Sequence, residues 1–178
     1  DLPDCPEYTM EGWRTVQCGP YYWKATAPRV VENILDVSHL MWVHDGYIGD
    51  RNHAEILDYE VHKTETGLIT DEIEVYQPDS DGLGHPKTNV FVYEILGPLK
   101  VRIRKTDRET SEQISSLFLV VPIEENFTVS YVIKSRNYDL DVPDDVIIGY
   151  QTTVVYQDIP IVENQKPEKL PLDLAAEM

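Results

Sequence analysis

The chain of 178 residues is poor in cysteine: Cys5 and Cys18 are its only two. Two thiols cannot build a disulfide framework, and no CxxC spacing marks a thiolate metal site or redox motif. Reduced thiols in a cytoplasmic protein are the expectation, with a Cys5–Cys18 bridge as the open alternative. Long apolar runs are missing too. None approaches the ~20 residues of a membrane-spanning helix, and the first ten residues, DLPDCPEYTM, lack the basic-then-apolar order of a signal peptide. They also lack a leading methionine, as expected of a piece of a longer protein. Basic side chains are scarce, 15 Lys and Arg against 32 Asp and Glu, for a formal net charge of −17. That balance argues against nonspecific nucleic-acid binding and against docking on an anionic membrane. What the composition does supply, 42% hydrophobic residues, suits one domain with a substantial core.

Residues 1–13 are rich in Pro and acid and read as a linker, leaving 14–178 as the folded domain. RTVQCGPYYWKAT (14–26) reads as extended, with Gly19-Pro20 marking a turn or bulge. A helix is predicted from Thr26, a cap candidate, with Pro28 in its first turn. From residue 55 onward, β-branched and aromatic segments alternate with polar positions and are separated by Gly, Pro, Asp and Asn clusters. That is the pattern of successive antiparallel strands. DVPDDVIIGYQTTVVYQ (141–157) returns to helix, with Asp141 as cap and Asp144 and Asp145 favouring the positive end of the dipole. Pro160 is predicted to kink or interrupt it, and 165–178 reads as a loose tail. The order implies an α+β fold, a curved antiparallel sheet gripped by a long C-terminal helix.

One segment is unusual. ENILDVSHLMWVH (32–44) places Glu32, Asn33, Asp36, His39 and His44 in an otherwise apolar run. On an ideal helix Glu32, Asp36 and His39 share a face, while His39 and His44 lie about 140° apart. The two imidazoles converge only if the helix ends or bulges between them. Converged, two histidines and a carboxylate on one side of Fe(II) leave open positions for dioxygen. The alternative is two unrelated histidines, one bonded to Asp36 or a carbonyl and one facing a helix end. For the carboxylate, Ile147, Gln151, Val154 and Asp158 form one stripe of the terminal helix. An acid continuing an inward stripe is costly unless paired or metal-bound, although Asp158 is equally placed to cap a turn at Ile159-Pro160. Glu163 points elsewhere.

ENILDVSHLMWVH resembles the NxxDxxHxxxxH signature of Rieske-type non-haem iron oxygenases, in the catalytic domain of their alpha subunit. YQDIPIVENQKPEKLP (156–171) resembles the C-terminal segment that carries their carboxylate ligand. The likeness is nearest to alpha-only members such as vanillate O-demethylase, phthalate dioxygenase and the pheophorbide oxygenases. The resemblance implies a helix-grip fold and mononuclear Fe(II) held by His39, His44 and Asp158. It assigns Asp36 to an electron route from an iron–sulfur cluster in a neighbouring subunit, and Asn33 to the surroundings of the metal. Asp36 is also placed to accept the second N–H of His39. Met41, Trp42, Tyr47, Phe118 and Val120 are candidates for the substrate pocket. The implied chemistry is hydroxylation, dihydroxylation or oxidative demethylation of an aromatic or other hydrophobic small molecule with O2. Electrons would come from NAD(P)H through a reductase or ferredoxin, and the full-length protein would be a homotrimer.

A Rieske [2Fe–2S] cluster needs two Cys and two His, supplied in the family as CxH and CxxH. Neither motif occurs here, so this chain holds no such cluster and is expected to be inactive alone. The rival expectation is a non-catalytic helix-grip module that carries a hydrophobic ligand.

Overall fold

Eight strands follow the alternating segments. They are β1 (Arg14–Trp23), β2 (Val61–Lys63), β3 (Leu68–Thr70), β4 (Ile73–Gln77), β5 (Lys87–Ile95), β6 (Lys100–Asp107), β7 (Gln113–Glu124) and β8 (Phe127–Arg136). In this computed structural model, which describes residues 4–171 and 173, they form one antiparallel sheet in the order β1-β8-β7-β6-β5-β3-β2. β4 also pairs with β5, continuing the edge that β3 begins. The short connections between neighbours in sequence explain the antiparallel order. The parts of the expected linker and tail at 1–3, 172 and 174–178 lie outside the described residues. Residues 4–13 lie against the sheet, with Glu7 buried and Arg102 donating to the Asp4 carbonyl.

The Gly19-Pro20 signal is a bulge: the β1–β8 register shifts between Cys18 and Tyr21. Both cysteines are free thiols. Among the described residues no helix is long and apolar enough to cross a membrane.

The helical segments differ from the sequence expectation at four points. α1 (Ala27–Leu35) starts where Thr26 turns extended, with Pro28 in its first turn, but the Thr26 side chain makes no capping bond. α1 stops at Leu35 and α2 is a single turn, Leu40–Val43. The expected sharing of one face by Glu32, Asp36 and His39 therefore does not arise. Glu32 instead accepts from Arg29 Nη1 at 2.8 Å and from Gln165 Nε2 at 3.1 Å, tying α1 to the segment after the last helix. That helix, α3 (Asp144–Asn164), has Pro143 rather than Asp141 at its N-cap and runs unbroken through Pro160. Proline removes the bond to the carbonyl of residue 156, and Tyr156 lies on the solvent side. On that side solvent can satisfy the freed carbonyl in place of the missing donor, and the helix continues to Asn164.

α3 lies across the concave face of the sheet with Ile147, Gln151, Val154 and Asp158 inward, as their spacing predicts. The core has two parts. One joins β1, β8 and α3 through Val16, Cys18, Val132, Ile147 and Val155. The other joins α2, β4, β5 and β6 through Leu40, Met41, Val75, Phe91 and Ile103. Ile34 and Phe118 pack against both parts.

Candidate metal centre

The break between the helices is made by Asp36. It leaves the helical conformation at ψ 112°, and its carboxylate accepts the Ser38 amide at 2.8 Å and the Ser38 hydroxyl at 2.6 Å. This local turn competes with helix continuation, as short acidic side chains commonly do. The chain then makes the one turn of α2, with His39 at its N-cap and His44 at its C-cap. The following loop folds back onto α2, where the Gly49 amide donates to the His44 carbonyl at 3.2 Å. A Cβ at Gly49 would overlap the Leu40 carbonyl, so only glycine permits the approach.

Freed from a continuous helix, the two imidazoles meet. Their Nε2 atoms are 3.2 Å apart. Asp158 Oδ1, from α3, lies 3.0 Å from His44 Nε2 and 3.5 Å from His39 Nε2. The side chains of His44, Asp158 and His39 are 1%, 10% and 13% exposed, so water is largely excluded.

The outer partners decide where the protons sit. His39 Nδ1 is 2.6 Å from the backbone carbonyl of Asp36, and His44 Nδ1 is 2.8 Å from Gln157 Oε1. Both partners accept, so each ring carries its proton on Nδ1 and turns an Nε2 lone pair toward the centre. Burial pulls the His39 imidazole below its usual range, against the opposing pull of Asp158. Asp158 Oδ1 is buried and has no hydrogen-bond donor. With both rings in that tautomer, three electron-pair donors converge on one point. A cation satisfies all three, and the set of two imidazoles and one carboxylate fits a metal such as Fe(II).

The other sequence candidates are dispersed. Asn33 and Phe118 line the cavity of about 80 Å³ that opens beside the triad. Met41 and Val120 are packed in the core. Trp42 is 58% exposed beneath the Arg51 guanidinium, because it occupies the side of α2 opposite the inward Leu40. Tyr47 is exposed against Tyr150. None of these four lines the cavity. The Asp36 carboxylate, 44% exposed, stands 3.9 Å from His39 Nδ1, so the backbone carbonyl rather than the side chain meets that ring. Glu163 accepts the Lys24 amide. Gln157 escaped the sequence reading, as did Lys105 and Lys134. Gln157 adjoins Asp158 but carries no spacing signal. The lysines do: Lys105 continues the inward alternation of Val101 and Ile103, and Lys134 that of Val132.

A curved antiparallel sheet with a long C-terminal helix across it is the catalytic-domain architecture of Rieske-type oxygenases. Within that class the chain belongs to the vanillate O-demethylase oxygenase C-terminal domain family, whose model matches residues 23–178. It is 28% identical over 177 residues to a probable methylxanthine N7-demethylase (NdmC) of a Pseudomonas species, covering 97% of this chain and 62% of that protein. It is also 28% identical over 158 residues to methylxanthine N1-demethylase (NdmA) of Pseudomonas putida, covering 86% and 43%. The chain thus spans roughly half the length of these curated relatives. The structure of Pseudomonas putida NdmA with caffeine superposes with a TM-score of 0.79 at 23% identity, over 97% of this chain and 49% of that one. Dicamba monooxygenase bound to 3,6-dichlorosalicylic acid superposes with a TM-score of 0.77 at 17% identity, over 99% and 58%. At these identities the superpositions speak for the fold.

Proposed function

We propose that this chain is the mononuclear-iron half of an oxygenase that oxidises a small hydrophobic molecule with O2, by hydroxylation or oxidative demethylation. His39, His44 and Asp158 would hold the Fe(II). The observation that carries this reading is the buried convergence of two Nε2 lone pairs and an undonated carboxylate oxygen. Bound iron would supply open coordination positions and redox chemistry for dioxygen. The chain's own contributions are positional. The Asp36 carbonyl and Gln157 keep both imidazoles in the ligating tautomer. Phe91, Ile103, Phe118 and Val154 wall the cavity and keep water from the reacting carbon.

In this reading electrons come from a Rieske [2Fe–2S] cluster held outside these 178 residues, fed by an NAD(P)H-dependent reductase or ferredoxin. The exposed Asp36 carboxylate is the contact through which a neighbouring subunit of a homotrimer would deliver them. Demethylase relatives favour demethylation over dihydroxylation.

The test is anaerobic Fe(II) loading followed by metal analysis. About one iron per chain is expected, and none after His44→Ala. Uptake unchanged in that variant would place the metal elsewhere. No uptake by the wild type would leave a ligand-binding module without redox chemistry.

A further inference from the structure

The chain carries a formal charge of −17, yet two lysines project into the cavity beside the triad. Strand pairing puts them there. Tyr93, Ile103, Ser116 and Lys134 are cross-strand partners in one row, and Phe91, Lys105 and Ile114 in the next. Directly paired residues share a face of the sheet, and both rows face α3.

Neither ammonium has a counter-charge at contact. Lys134 is 6% exposed, and its Nζ bonds only the neutral Gln151 Oε1, at 3.2 Å. Lys105 Nζ reaches the neutral Gln77 Oε1 at 3.4 Å and sits 4.9 Å from the centre of the Phe91 ring. Among the described residues no carboxylate lies within ion-pair distance of either. Asp81 acts on both from farther off, but it is engaged by the Tyr138 hydroxyl at 2.6 Å and approached by Lys87 Nζ at 3.8 Å. An ammonium has three donors, so each lysine keeps unused N–H groups. Burying uncompensated charge is costly, and a core position would more cheaply hold Leu or Met.

Position along α3 gives the layout. Gln151, which holds Lys134, precedes Asp158 by two helical turns, about 10 Å. The lysines therefore mark the end of the cavity away from the triad. A volume of about 80 Å³, at ~10–15 Å³ per water site, suits a compact ligand of one ring rather than a lipid chain.

We propose that this cavity takes a small ligand bearing a carboxylate or similarly compact anion, held by Lys105 and Lys134, with its other end directed at His39, His44 and Asp158. That this ligand is the substrate rests on the reading under Proposed function; the anion subsite itself does not.

The probes are benzoate and benzamide, nearly equal in shape and different in charge, with binding measured on the metal-free chain by calorimetry. Benzoate should bind at least about tenfold more tightly. Lys105→Met and Lys134→Met, which keep side-chain volume, should each erase most of that preference while circular dichroism stays unchanged. A second readout needs no variant. Burial and the neighbouring Lys134 charge draw the Lys105 ammonium down to about 7, against the pull of Asp81. Cys18, Arg136, Asp79 and Asp81 are the other charged or titratable groups acting on Lys134. An anion favours the protonated lysine, so benzoate affinity should fall roughly tenfold from about pH 6 to about pH 8. Benzamide affinity should not, and Lys105→Met should flatten the benzoate profile. Equal binding of the two probes, tighter benzamide, or no benzoate binding at millimolar concentration overturns the subsite. Iron uptake without anion preference overturns this inference alone. Anion preference without iron uptake overturns the oxygenase reading and leaves the subsite standing.

Discussion

Among the described residues, two clusters bring carboxylate and imidazole atoms within 4.8 Å of one another: His39, His44 and Asp158, and Glu60, His62 and Asp71. Their residue types are nearly the same and their surroundings are opposite. The second is formed by Glu60 just before the edge strand β2, His62 on it and Asp71 in the turn after β3, all exposed at the surface. His62 Nε2 and Asp71 Oδ1 make an ordinary contact at 2.8 Å with side chains about half exposed. Asp71 also accepts the Glu60 amide, and its bond to His62 holds the carboxyl below the usual range. His62 and Asp71 satisfy one another, and each group of this cluster is open to solvent. In the first cluster both imidazole protons are committed outward and the carboxylate oxygen has no donor. Proximity of ligand types is therefore weak grounds for a metal site; buried lone pairs with nothing to accept are strong grounds.

The sharpest way to break this contrast is to remove a ligand from each cluster. His39→Ala or Asp158→Ala should abolish Fe(II) uptake, measured by metal analysis after anaerobic loading, while His62→Ala and Asp71→Ala leave about one iron per chain. Loss of iron from the surface variants would reverse the assignment.

A smaller effect is expected one layer out. Gln157→Leu removes the acceptor of the His44 Nδ1 proton and frees the ring to change tautomer. Iron affinity should drop by roughly ten- to a hundredfold, read by competition with a chelator. The surface pair has no such support to lose.

Acidity should separate the clusters by the pH window in which each loses stability. Buried His39 is held below its unbound value of 6.5, so the unfolded chain takes up a proton that the folded chain refuses. Metal-free stability from this group is fully present above about pH 6.5 and is lost as pH falls through that value toward the depressed folded pKa. Asp71 is depressed relative to 3.8, so its contribution is present above that value and fades only as pH drops below it. Denaturant midpoints measured from about pH 7 to about pH 5 should fall in the wild type and fall less in His39→Ala.

The smallest effect concerns Asp36. Because the Asp36 carbonyl, not its carboxylate, meets His39, Asp36→Asn should leave iron affinity within about twofold, below the loss seen when a ligand's supporting partner is removed. In the complete enzyme with its reductase, the same variant should lose turnover if the carboxylate carries the electron route. Weakened iron binding would instead return the carboxylate to an orienting role.

How much of this could be read in advance differs by element. The strands were legible because alternation in segments such as FTVSYVIKSR reports a half-buried pleat. The inward stripe of α3 was legible from 3.6-residue spacing, down to Asp158. Pro160 misled because the cost of a missing donor depends on whether the orphaned carbonyl meets solvent. Trp42 and Tyr47 misled because proximity to His44 in sequence says nothing about which side of a single turn each residue occupies. Gln157 and the two lysines went unnoticed because their roles appear only when β6, β8, α2 and α3 are brought together.

The sequence by itself determined the fold class, the residue types and spacing of the histidine segment, and the face of α3 that carries Asp158, since each is a matter of local periodicity. Tertiary structure decided the rest. Asp36 breaks the helix, and the Gly49 loop packs back on α2. α3 lies across the sheet so that one carboxylate oxygen reaches two imidazoles some 114 and 119 residues earlier in the chain. Distances of 3.0–3.5 Å between such groups are set by packing, because no local propensity fixes the relative position of segments so far apart. The same packing removes the water that would otherwise have satisfied them.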